Sequence, residues 1–143
     1  MGRIVRRCVL VVAAAALATG PFACEHVPAG PPPVFDQRPL AEARAAAAAE
    51  GKLLVVKATA DWCGPCKHMD ATTWRDEHLV AWLKDRAIVV PLDVDEHGAL
   101  ARDLGLSSIP TMLVFRGDEE LDRLVGAASS DELIEWLEPF SGR

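Results

Sequence analysis

Continuous apolar stretches alternate along the chain with stretches whose apolar residues recur every three or four positions. Residues 53–60 and 87–94 are apolar and rich in β-branched side chains, a pattern typical of strands buried on both faces. Residues 111–115 and 121–125 are shorter apolar segments on either side of the turn 116–119. They predict an antiparallel hairpin.

Four other segments predict helices. The first is rich in alanine, begins at Pro39 and ends at Glu50 before Gly51, as expected from the preferences of proline and glycine for helix ends. The other three are residues 68–86, with a break near 72–76 where Thr73 or Asp76 caps a second helix, residues 98–104, and a last helix that Ser130 or Asp131 caps and that extends to about Glu138.

The order of these elements is α-β-α-β-α-β-β-α. Strands that are separated by helices pair in parallel, whereas the closing hairpin is antiparallel. The sequence therefore predicts an α/β fold with a mixed central sheet and helices on both faces.

The first 23 residues have the pattern of a targeting segment. Arg3, Arg6 and Arg7 precede an apolar run of 11 residues, 8–18, which is too short for a comfortable transmembrane helix. Small residues offer cleavage sites near Ala18 and after Ala23. We expect either a cleaved signal peptide or an uncleaved N-terminal anchor, and in both cases a domain that faces an extracytoplasmic space, the bacterial periplasm.

Residues 24–38 are rich in proline and predict an extended linker before a domain that covers 39–143. Cys24 follows Ala23, as the lipidated cysteine of bacterial lipoproteins follows a small residue, although Pro21 stands where those signals usually carry Leu. Cys24 is therefore either a lipid attachment site, which would tether the protein to a membrane, or a spare thiol.

Composition narrows the class of function. Half of the 143 residues are hydrophobic, enough for a buried core, and the net charge is −6 although three basic residues lie in the targeting segment. Binding to nucleic acid needs a basic surface, so an acidic domain argues against a nucleic-acid partner.

The junction between the first strand and the following helix carries Cys63 and Cys66. A cysteine at a helix N-terminus is favoured as a thiolate, the attacking species in disulfide exchange, and a second cysteine one helical turn later can resolve the mixed disulfide. Gly64 permits a tight turn, Pro65 suits the first helical turn, and Trp62 offers an apolar surface to a substrate.

Two other interpretations of the cysteine pair are weaker. Structural zinc sites usually need a second pair of ligands; the chain has no second pair of this kind, and His68 and His97 are the candidates to complete a site. A structural disulfide that closes so short a loop adds little stability. We expect redox chemistry, without a metal or a cofactor.

Two motifs resemble those of the thioredoxin family. Residues 60–67, which run Ala-Asp-Trp-Cys-Gly-Pro-Cys-Lys, resemble its active-site signature, and Ile109, Pro110 and Thr111 resemble its cis-proline loop. The resemblance covers about residues 38–140 and implies a thioredoxin fold. Residues 50–52 and 73–80 are more similar to a branch that includes the C-terminal domain of the bacterial transmembrane disulfide reductase.

The resemblance implies a role for each matched residue. Cys63 is the nucleophile and Cys66 the resolving thiol. Pro110 is cis and lies against the cysteine pair, and the backbone of Ile109 pairs with an extended substrate segment. Gly126 matches a glycine near the site, where a side chain would obstruct the partner.

One position departs from the family. Familiar members carry a buried Asp six residues before the first cysteine, where this chain has Lys57, and many carry a Lys on the next strand, where it has Pro91. A buried ammonium either loses its proton or finds a carboxylate, for which Asp93 is the candidate. Alternatively, Lys57 extends its amine to water. The first interpretation makes the reaction of Cys66 depend on Lys57.

These features predict an exported thiol–disulfide oxidoreductase of the protein-disulfide reductase type. It would reduce disulfides of extracytoplasmic proteins, or relay electrons to them, and receive electrons from an upstream membrane reductase. The sequence does not fix the direction of electron flow, which depends on reduction potential. The alternative is a protein-binding module in which the cysteines have no catalytic role.

Overall fold

The computed structural model describes residues 30–142. The predicted targeting segment, Cys24 and the first part of the predicted linker lie outside the described residues. No helix in the described part of the chain combines the length and the apolarity needed to cross a membrane. In chain order the elements are α1 (Leu40–Glu50), β1 (Leu53–Thr59), α2 (Gly64–Ala71), a 3-10 turn (Thr73–Arg75), α3 (Glu77–Lys84), β2 (Ala87–Asp93), α4 (Gly98–Asp103), β3 (Thr111–Arg116), β4 (Glu119–Val125) and α5 (Ser130–Ser141).

The four strands form one sheet in the order β2-β1-β3-β4. Strand β1 pairs in parallel with β2 and antiparallel with β3, and β3 pairs antiparallel with β4. The predicted mixed sheet is therefore confirmed. The hairpin turn is tighter than predicted, because β3 and β4 extend to Arg116 and Glu119. Gly117 adopts a φ of 60° there, a conformation that favours glycine.

Both faces of the sheet are covered. Val55 of β1 belongs to a core cluster with residues of α2, α3 and α5, whereas its neighbour Val56 belongs to a second cluster with Ala43 and Ala47 of α1. This division follows from the alternation of side chains along a strand. It explains why β1 is apolar throughout rather than at every second position.

The helix ends follow side-chain caps. Asp76 accepts a hydrogen bond from the Leu79 amide at 3.0 Å and begins α3, as predicted. The cap of α5 was predicted at Ser130 or Asp131, which is wrong: Ser129 is the N-cap and forms a capping box with Glu132. Each of the two side chains accepts from the other residue's amide, which satisfies two otherwise free donors.

The prediction of a linker over residues 24–38 is wrong for its second half. Residues 30–38, which we call the edge segment, lie along the outer strand β2. Phe35 forms a parallel bridge with Val89, and the Asp36 amide donates to the Val89 carbonyl at 2.8 Å. The Phe35 ring lies 5.4 Å from that of Trp74. The prolines are followed by two apolar residues, Val34 and Phe35, which pack on the core and hold the segment in place.

Candidate active site

Cys63 and Cys66 form a disulfide at the N-terminus of α2, with their Cα atoms 5.3 Å apart. Cys63 is the N-cap residue, and its Sγ accepts a hydrogen bond from the Cys66 amide at 3.3 Å. Both cysteines are buried. The first sulfur therefore lies where free amides and the helix dipole favour negative charge, which is the condition for a reactive thiolate after reduction.

The chain reaches this position by a tight turn after β1. The Cys63 amide donates to the Ala60 carbonyl at 3.1 Å, and Pro65 occupies the first turn of α2, where its missing amide proton costs no hydrogen bond. Gly64 and Pro65 are exposed. The two residues between the cysteines therefore lie at the surface, while the cysteines themselves are buried and packed against Val94 and Ile109.

Trp62 stands beside the disulfide and is 70% exposed. Its indole N–H donates to a carboxylate oxygen of Asp95 at 2.8 Å. The Asp95 amide in turn donates to the Asp93 carboxylate at the end of β2. Asp95 was missed in the sequence, although two acidic residues directly after a buried strand signal a polar turn next to the site. Its contact orients an exposed aromatic ring that would otherwise be free to turn.

The loop that contains Ile109 and Pro110 lies on the other side of the disulfide. The peptide bond between these two residues is cis, and Ile109 packs against the cluster that contains both cysteines. The Pro110 carbonyl accepts from the Gly126 amide at 2.8 Å. Within the described residues the backbone of Ile109 forms no hydrogen bond to another backbone group. Its N–H and C=O are therefore free of backbone partners within this part of the chain, next to the cluster that contains both cysteines.

Gly126 follows β4 with a φ of 104°. A Cβ at this position would meet no atom within 4 Å, so the glycine is required by its backbone conformation and not by packing within the chain. The open space in front of it adjoins Val125, which is 60% exposed. A side chain at position 126 would enter that space.

Lys57 is completely buried in the middle of β1. Its Nζ donates to Asp70 Oδ1 at 2.7 Å and to Thr59 Oγ1 at 3.1 Å. The prediction of Asp93 as its partner is wrong: Asp93 is aligned with Thr59 in the sheet register, and its carboxylate accepts from backbone amides. The alternative, an amine that reaches water, is also wrong, because Lys57 has no exposed surface.

Burial lowers the pKa of Lys57 below its ordinary value of 10.5, against the opposing effect of the Asp70 hydrogen bond and charge. Asp70 lies four residues after Cys66 in α2, so both side chains lie on one face of the helix. The ion pair is therefore one turn below the second cysteine. Asp70 was missed in the sequence, although its four-residue spacing from Cys66 was a usable signal.

Pro91 is the register neighbour of Lys57 on β2, so the position that carries a lysine in many family members brings no charge here. Among residues 30–142, no group of three or more His, Cys, Asp or Glu side chains is arranged to hold a metal ion. His68 and His97 are both exposed.

Comparison with known proteins agrees with this geometry. The sequence model of the thioredoxin family matches residues 41–139. A thioredoxin of Chlamydia caviae is 35% identical over 89 residues, which are 62% of this chain and 83% of the relative. Thioredoxin 2 of Chlorobaculum tepidum is 34% identical over 91 residues, 64% of this chain and 81% of the relative.

Solved structures give the same result. A Thermus thermophilus thioredoxin superposes with a TM-score of 0.64 at 29% identity, covering 71% of this chain and 83% of its own. The germline-specific thioredoxin Deadhead of Drosophila melanogaster superposes with a TM-score of 0.58 at 30% identity. This superposition covers 69% of this chain and 90% of Deadhead. With the fold, the cysteine pair and these matches in agreement, the chain belongs to the thioredoxin family and is a thiol–disulfide oxidoreductase with Cys63 and Cys66 as its redox-active pair.

Proposed function

We propose that this protein is an exported disulfide reductase, which reduces disulfides of extracytoplasmic proteins or relays electrons to them. The observation that carries the proposal is the position of Cys63 as N-cap of α2, with Cys66 within bonding distance. A sulfur at this position attacks as a thiolate, and its neighbour completes the exchange without leaving the site.

The reaction has two balanced steps. The Cys63 thiolate attacks one sulfur of the substrate disulfide, a new S–S bond forms, and the other substrate sulfur leaves as a thiolate and takes up a proton. Cys66 then loses its proton and attacks Cys63 Sγ, which breaks the mixed disulfide and releases the second substrate thiol. Two electrons pass to the substrate, and the Cys63–Cys66 disulfide is formed.

The free backbone groups of Ile109 favour a substrate that binds in an extended conformation, as an added strand beside the cis-proline loop. Trp62 and Val125 are the exposed large apolar residues of the described chain. Trp62 precedes Cys63 in the chain, and Val125 precedes Gly126, whose amide donates to the Pro110 carbonyl. Both would contact the side chains of the bound segment. A flexible, partly apolar segment around an accessible disulfide is therefore the substrate that fits the site.

Export and the electron donor are part of the proposal. Three arginines and an apolar run at the start of the chain support delivery across a bacterial inner membrane. An oxidised dithiol needs a donor for the next cycle, and a membrane reductase that passes electrons outward is the class of partner that supplies them there.

Reduction of insulin disulfides by dithiothreitol tests the proposal. We expect the wild-type chain to accelerate insulin reduction, and Cys63→Ser to lose this activity completely. A chain that binds unfolded substrates but leaves the rate of reduction at the uncatalysed level would instead be a binding module.

A further inference from the structure

The edge segment brings an aromatic ring to the buried ion pair. Phe35 is half-buried, and its ring centroid lies 5.5 Å from Lys57 Nζ. The same ring packs on Trp74, whose side chain is completely buried. Backbone pairing with Val89 fixes the position of the ring. The aromatic ring beside the ammonium therefore comes from outside the predicted domain, which covers residues 39–143.

A second contact, through Arg75, joins the start of the edge segment to the residues of the same ion pair. The Arg75 Nε donates to the Asp70 carbonyl at 3.0 Å, and Arg75 Nη2 donates to the Gly30 carbonyl. One guanidinium thus joins the edge segment to the residue whose carboxylate holds Lys57. Two separate contacts, one at Gly30 and one at Phe35, converge on the ion pair.

The other surroundings of Lys57 carry no further charge. Its register neighbours are Pro91 on β2 and Met112 on β3, and α2 contributes the Asp70 carboxylate. The carboxylate of Asp36, in the edge segment, is bound by the neighbouring Arg38. Among the described residues, a single carboxylate is therefore bound to the ammonium. The stability of its charged form then depends on how far water is excluded from it.

We propose that Phe35, which the edge segment holds in place, forms an apolar seal over the Lys57 ammonium and is a positioning residue for the reaction of Cys66. The inference rests on the proposed dithiol chemistry. In the second step Cys66 loses a proton and its sulfur attacks Cys63 Sγ, and the substrate thiolate that this attack releases takes up a proton in exchange. The Lys57 side chain has no exposed surface, whereas that of its partner Asp70 is 32% exposed. An ammonium that Phe35 shields from water one turn below Cys66 sets the electrostatic environment of that proton loss.

The seal is tested by an NMR titration of the lysine side chains in the full-length oxidised chain, which contains four lysines, in detergent micelles. The variants are Phe35→Ala and Phe35→Val, the second of which trims the ring but keeps an apolar, β-branched side chain. Phe140→Ala is the control, since Phe140 also packs on this core cluster but lies beside Lys52 and Leu53 at the start of β1.

Loss of the ring admits water, so the pKa of Lys57 is expected to rise toward its ordinary value, by roughly one pH unit in Phe35→Val and further in Phe35→Ala. The control should leave it unchanged. If the ring stabilised the ammonium mainly through its π face, the pKa would fall. A fall, or titration curves that superimpose on the wild type, would overturn the seal, and Phe35→Val alone decides this if Phe35→Ala does not fold.

The positioning role is tested by the pH profile of mixed-disulfide resolution, followed with a small disulfide substrate. We expect the midpoint of the profile to move in Phe35→Val and to stay unchanged in Phe140→Ala. A raised pKa of Lys57 with an unmoved profile would overturn the positioning role. A wild-type chain that reduces no disulfide would overturn both that role and the proposed function, whereas the titration decides the seal by itself.

Discussion

The buried charged pair distinguishes this site from those of the familiar members that it otherwise resembles. Lys57 occupies the position of their buried acid, Pro91 occupies the position of their lysine, and the carboxylate comes from Asp70, on the helix that follows Cys63. The pair thus keeps one acid and one base below the site, with the base on β1 and the acid on α2. Since removal of one partner from a buried pair leaves an uncompensated charge, each of the two residues depends on the other.

Lys57→Met is expected to change how stability depends on pH. Between the lowered pKa of folded Lys57 and its ordinary value of 10.5, the unfolded chain binds the extra proton, so wild-type stability rises with pH across this window. The contribution reaches about 1.4 kcal/mol for each pH unit at most. Urea unfolding of the oxidised protein at several pH values should show that the variant loses this rise.

Lys84→Met is the matched control for that experiment, because Lys84 is exposed. Its unfolding free energy should follow the wild type at every pH. Parallel curves for Lys57→Met and the wild type would contradict the account of Lys57 as a buried amine of lowered pKa.

The two cysteines are expected to give opposite results when each is replaced. Cys66→Ser retains the attacking thiolate but cannot resolve the mixed disulfide, so it should accumulate covalent complexes with substrate proteins. Cys63→Ser should form none through this site. Non-reducing electrophoresis followed by mass spectrometry measures the complexes, and stable complexes with Cys63→Ser in place of Cys66→Ser would reverse the assigned roles.

At the scale of elements, α5 begins one residue earlier than predicted because a capping box decides its start. Ser129→Ala should lower the free energy of unfolding by about 1 kcal/mol, since it removes the acceptor for the Glu132 amide. Ser130→Ala should be nearly silent, because Ser130 is already within the helix. Thermal unfolding of both variants checks this, and equal losses would contradict the assignment of the cap.

The elements that the sequence predicted well are those whose signal is local. Neighbouring residues determine the apolar strands β1 and β2, the Asp76 cap and the cysteine turn. The predicted position of each lies within a few residues of the position in the structure. The edge segment was missed because its proline content is typical of linkers, and tertiary contacts such as those of Phe35 with Val89 and Trp74 make it part of the fold. The Asp70 contact likewise joins residues that are 13 positions apart.

At the scale of the whole molecule, the site follows the central strand β1, and the edge segment extends from the outer strand β2 toward the N-terminal part of the chain. The same segment that contacts Lys57 is therefore the one that leads toward the predicted targeting sequence. Any attachment of the N-terminus to a membrane would hold the domain through residues that pack beside its ion pair.

Fractionation of a bacterial host that expresses the full-length chain tests this attachment. If Cys24 is lipidated, the wild type should be found in the membrane fraction and Cys24→Ser in the periplasmic fraction. Membrane association that is unchanged in Cys24→Ser would point to an uncleaved anchor. Recovery of soluble wild type from the periplasm would point to ordinary cleavage of the signal peptide.

The reduction potential of the Cys63–Cys66 pair decides whether the protein acts as a reductase. It is measured by equilibrating the protein with dithiothreitol or glutathione redox buffers and determining the fraction of oxidised protein. We expect a low potential, about −270 mV as in reducing members of the family. A value of about −120 mV, typical of a strong oxidant, or a disulfide that does not equilibrate with the buffer, would contradict a reductase.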